Sequence, residues 1–92
     1  MYREHTITLG PWQFVLSERS GEWFLAVPDC GGVVDSFPRV PEQLAWAEKH
    51  FAALPELVQI WPTSWRVPVS ALPAVERLFR DRGAAWPSLA DP

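Results

Sequence analysis

The chain reads as an α+β domain: a small antiparallel sheet, a meander of three to five strands, with two helices packed on one of its faces. Three observations predict this. Apolar and polar residues alternate with period two from His5 to Phe37, between breaks rich in glycine and proline. Two later stretches, 41–54 and 71–82, repeat their apolar positions at helical spacing instead. Strands therefore precede helices, which is the order of an α+β fold and not of repeated βαβ units.

The first strand is His5 to Leu9, with Ile7 and Leu9 on one face and Thr6 and Thr8 on the other. Gly10-Pro11 interrupts it as a bulge or tight turn, because proline has no N–H to give to a ladder. Trp12, Phe14 and Leu16 then alternate with Gln13, Val15 and Ser17. Glu18-Arg19-Ser20-Gly21 suits a hairpin connection, with Gly21 able to take positive φ. Glu22 to Val27 returns with Trp23, Leu25 and Val27 on one face. Pro28 to Gly32 is a second turn, and Val33 to Phe37 a further short strand.

Pro41 opens a helix, where its missing N–H would be unpaired in any case, and Glu42 complements the positive helix end. Leu44, Ala47, Phe51 and Leu54 form its apolar stripe; Trp46, His50 and Ala53 lie on a flanking or opposite face. Pro55 ends the helix, and Glu56 to Trp61 is β-branched and aromatic enough for another strand. Thr63 to Pro68 is expected to be extended and irregular. Ser70 is placed to cap a second helix over Ala71 to Arg82, with Pro73 in the tolerated first turn. Leu72, Val75, Leu78 and Phe79 are its apolar face, and Gly83 suits the position just past its end. Residues 84–92 form a tail that is either loose or docked by Trp86. All 92 residues fit one domain, whose core should hold Ile7, Phe14, Leu16, Trp23, Leu25, Leu44, Phe51 and Phe79.

Composition narrows the function. A net charge of −3 is too weak for a mimic of DNA and has the wrong sign for a generic nucleic-acid binder. Direct nucleic-acid contact is therefore disfavoured, although Arg66 beside Trp65, and Arg77, Arg80 and Arg82 near Trp86, combine residue types used on single strands. Cys30 is the sole cysteine, so no internal disulfide can form. No apolar run has the length of a membrane span or of a signal peptide, so a cytoplasmic protein without membrane association is expected.

Ordinary catalytic chemistry finds few residues here. A nucleophile would have to be Cys30, in a glycine-flanked turn, with His5 or His50 folded against it. His5, His50 and Cys30 do not stand at zinc-ligand spacings, and Gly31-Gly32 lacks the Lys-Ser/Thr of a phosphate loop. The expectation is a non-enzyme with no catalytic, cofactor-binding or metal site.

Six tryptophans are the compositional outlier, more than so small a core needs. With arginine they are the side chains that dominate interface hot spots. The first candidate docking segment is Trp61, Trp65 and Arg66, in a stretch stiffened by Pro62 and Pro68; the competing reading makes both rings core residues that close the sheet. Trp46 is the second candidate and Arg77 with Arg80 the third. These features suggest a protein-binding or inhibitory module, monomer or homodimer, with a protein partner such as a host nucleoprotein complex. In type the chain is similar to phage and mobile-element inhibitors such as anti-CRISPR proteins: short, mildly acidic, built of hairpin and helix, without an enzyme signature. No residue motif carries that resemblance further. An antitoxin or immunity protein and a nucleic-acid-associated accessory protein are the alternatives.

Overall fold

Two-residue turns fold the N-terminal part into a meander, and both follow from local backbone chemistry. The computed structural model describes residues 2–28 and 40–89. Strand β1 (Tyr2–Leu9) pairs antiparallel with β2 (Trp12–Arg19), from Tyr2↔Arg19 to Leu9↔Trp12. Gly10 between them has φ +58°, while the ring of Pro11 confines its φ to about −65°. Positive then negative φ is the sign pattern of a type II′ turn, whose twist matches that of the strands. Strand β3 (Glu22–Ala26) returns through Ser20 and Gly21, whose φ values of 53° and 81° make the type I′ counterpart.

Helix α1 (Val40–Phe51) follows, then β4 (Val58–Trp61), β5 (Ser64–Val67), a 3-10 turn at Val69–Ala71, and α2 (Leu72–Arg80). The sheet order is β1-β2-β3-β5-β4 and every neighbouring pair is antiparallel. The fold is α+β: the described residues form an open five-stranded antiparallel sheet with two helices. Residues 64–67, expected to be irregular, form an internal strand between β3 and β4. A four-residue strand between Pro62 and Pro68 is too short for alternation to stand out, but Trp65 and Val67 are buried while Ser64 and Arg66 are more open. The strand expected at Val33 to Phe37 lies outside the described residues.

Both helices pack on one face of the sheet, where Phe14 is the hub. Its ring lies 5.1 Å from Phe79 of α2, 5.6 Å from Trp46 of α1 and 6.3 Å from Phe51 of α1. Of the expected core residues, only Leu44 is not fully buried. Helix α1 is turned so that Gln43, Ala47 and Phe51 make its inner line; the Gln43 amide is satisfied by donating to the Gln13 carbonyl at 2.8 Å. The helix ends at Phe51, not at Leu54, through a tight turn in which Leu54 N–H donates to the Phe51 carbonyl.

Ser70 does not cap α2. Its hydroxyl lies 3.3 Å from Glu56 Oε2, and the 3-10 turn, closed by Ala71 N–H on the Pro68 carbonyl, leads into the helix instead. The C-terminal end closes as a Schellman motif: Gly83 (φ +89°) donates to Arg80 and Ala84 donates back to Phe79. Arg82 adds a bond from its guanidinium to the Leu78 carbonyl. The chain beyond is docked as far as Leu89: Ala84 is buried, Ala85 bridges to Thr8 of β1, and Trp86 lies 6.1 Å from Phe79.

Candidate functional site

Residues directly opposite in an antiparallel ladder share a face, so the registers sort every strand side chain. His5, Leu16, Leu25, Trp65 and Gln59 form one row across the sheet, on the face the helices cover. On the other face one row is Glu4, Ser17, Phe24, Arg66 and Val58, and the next is Thr6, Val15, Ala26, Ser64 and Trp61. Among the described residues no helix covers this second face. Val15, Phe24 and Ala26 are half-buried in it, and Val58 and Trp61 stand 51% and 68% exposed. Arg66 and Ser64 of β5 stand between Phe24 and Ala26 on one side and Val58 and Trp61 on the other, and Arg66 lies 3.6 Å from Glu22. Exposed apolar side chains interleaved with polar groups in this way suit a docking surface.

A β-bulge puts Trp61 there. Val58 and Gln59 face Arg66 and Trp65, so in an unbroken ladder Ile60 would face Ser64 and Trp61 would point to the helix side. The register shifts between Gln59 and Trp61, and Trp61 faces Ser64. The extra residue, Ile60, re-aims the indole to the open face. Sequence reasoning missed Val58, Ile60, Phe24 and Val15 as surface members; period-two alternation marked the inward residues of the meander but carried no signal that these apolar side chains stand on the other face.

The sequence candidates separate in space. Trp61 and Arg66 are exposed on the open face. Trp65 is only 4% exposed and meets Phe51 edge-on at 5.0 Å, so it is a core residue closing the sheet and is no anchor in this conformation. Trp46 does not stand apart from the apolar stripe either. Its ring packs among Trp12, Phe14, Phe51 and Phe79, because α1 turns this side toward the sheet. Arg77 and Arg80 are exposed on α2, and Arg80 is bonded to Glu76 one turn back at 2.6 Å.

Chemistry elsewhere is sparse. His50 Nδ1 lies 3.3 Å from Arg82 Nη2, a contact that suits the neutral ring, since a guanidinium only donates. Burial first, then the charges of Arg82 and Lys49, hold the His50 pKa below its usual 6.5. The Nε2 of His5 and the Nε1 of Trp12 are buried without hydrogen-bond partners, two rows apart on the covered face, so they share no site. Among the described residues no group of three or more His, Cys, Asp or Glu could hold a metal ion, and Cys30 lies outside them. Among the described residues no helix is long and apolar enough to cross a membrane. No family model, no curated protein and no solved structure matches this chain.

Proposed function

We propose that the chain is a small non-enzymatic protein-binding protein of the inhibitory kind, used by a phage or mobile element against a host defence complex in the cytoplasm. The observation that carries this reading is Trp61. A tryptophan 68% exposed, on a strand and beside Val58 and Arg66, costs water contact in the unbound protein and offers a partner a large, stiff anchor. Its position on the sheet, not on a loop, limits the entropy lost on binding.

The test is functional. Bacteria carrying an active nuclease defence are given the gene and challenged with phage. Wild type should restore plaque formation, and a folded Trp61→Ala protein should lose at least about 2 kcal/mol of partner affinity, near thirtyfold, and restore much less. No rescue by the wild-type protein in any defence background would end the inhibitor reading.

A further inference from the structure

We infer that β4 is a self-pairing edge: two copies of the chain join β4 to β4 antiparallel across a two-fold axis, in a weak dimer with one continuous sheet. An edge strand leaves backbone N–H and C=O groups unpaired, and proteins guard such edges with charge, proline or a covering segment. The two edges of this sheet differ in charge, while β4 is blunted by its four-residue length, its bulge and Pro62 just past its end. Edge strand β1 carries Arg3, Glu4 and His5, and its far end is bridged by Ala85. Two-fold pairing centred on Arg3 or Glu4 would set like charge against like. Edge strand β4, Val58-Gln59-Ile60-Trp61, contains no charged residue, so no register within it opposes like charges. Nothing among the described residues pairs with its outer side. All of its residues are exposed, and Val58, Ile60 and Trp61 are three of the five exposed large apolar residues of the described chain.

Area sets the strength. Pairing the backbone edges of two four-residue strands, with Trp61 left on the open face, buries on the order of 500 Å² in total, below the roughly 1,200–2,000 Å² of a stable specific interface. The strand is also short and bulged, which restricts the pairing to a few residues. The dimer is therefore concentration-dependent and dissociates on dilution. It uses the in-plane edge of β4, whereas partner docking uses side chains on the open face, so it does not rest on the function proposed above. Pairing would set two Trp61 rings on one continuous open face, a bivalent surface.

Sedimentation velocity tests this, from about 5 to about 500 µM of the full chain. The wild type should shift from monomer toward dimer across the series. Ile60→Lys, with an unchanged circular dichroism spectrum, should remain monomeric, while Thr6→Lys on the other edge strand should dimerise like wild type. Hydrogen exchange on the wild type gives a readout free of any folding defect: β4 amides should exchange more slowly at the high concentration, and β1 amides should not change. A wild type monomeric throughout, an Ile60→Lys protein that associates as wild type does, or protection gained on β1 instead of β4 would overturn the proposal. Because Trp61→Ala reads partner binding and Ile60→Lys reads self-association, failure of one reading is distinguishable from failure of the other.

Discussion

Trp61 and Trp65 sit on adjoining strands of one hairpin, joined by a two-residue turn, and meet opposite surroundings. Trp65 lies in a row with Leu25 and Leu16, under Phe51, and is 4% exposed. Trp61 lies in a row with Ser64, Ala26 and Val15 and is 68% exposed. The two rings are the same chemistry, so composition cannot tell them apart. What separates them is the parity of their positions, altered by one bulged residue, together with the placement of both helices on the Trp65 side. The lesson is that a surplus of tryptophan in a small domain has to be divided by face before any of it is assigned to a partner.

The covered face should respond strongly to truncation. Phe51→Ala removes a ring that touches Phe14, Trp46, Trp65 and Phe79 at once, and should lower unfolding stability by about 3–5 kcal/mol in urea denaturation. Since small domains hold only about 5–15 kcal/mol in all, the variant should stand near its threshold. A loss under about 1 kcal/mol would mean that α1 does not pack where it is described.

A smaller effect comes from the rim of the same face, where burial, then the charges of Arg82 and Lys49, lower the His50 pKa. Its folded-state pKa is lowered, so as pH falls the unfolded chain takes up the proton first. Stability should therefore be fully present above the usual pKa of 6.5 and decline as pH drops through and below that value, levelling off below the folded-state pKa. Thermal unfolding between about pH 8 and 5.5 should show the decline, and His50→Gln should flatten it while changing little at pH 8. An identical slope in wild type and variant would remove His50 as its source.

The first three strands and nearly all of their inward residues were legible from alternation and from the breaks at Gly10-Pro11 and Gly21, although β1 begins at Tyr2 and not His5, and Glu18 and Arg19, read as loop, belong to β2. The apolar face of α2 and its glycine stop were legible for the same local reason. Strand β5 was not, since Ser64-Trp65-Arg66-Val67 offers only two periods of alternation, and its place beside β3 is set by tertiary pairing. Nor was Ser70 readable as anything but a cap, although its hydroxyl turns to Glu56. The candidate surface was half legible: Trp61 and Arg66 stood out as residue types, but the bulge at Ile60 that exposes one ring, and the helix packing that buries Trp65 and half-buries Trp46, are long-range facts.

The contrast between the two rings is tested most directly by unfolding Trp61→Ala and Trp65→Ala side by side in urea, with near-ultraviolet circular dichroism of each at equilibrium. Trp65→Ala should lose about 3–5 kcal/mol and much of its tertiary aromatic signal. Trp61→Ala should stay within about 1 kcal/mol of wild type and keep that signal. Equal losses, or the larger loss in Trp61→Ala, would contradict the division of the sheet into a covered face and an open one.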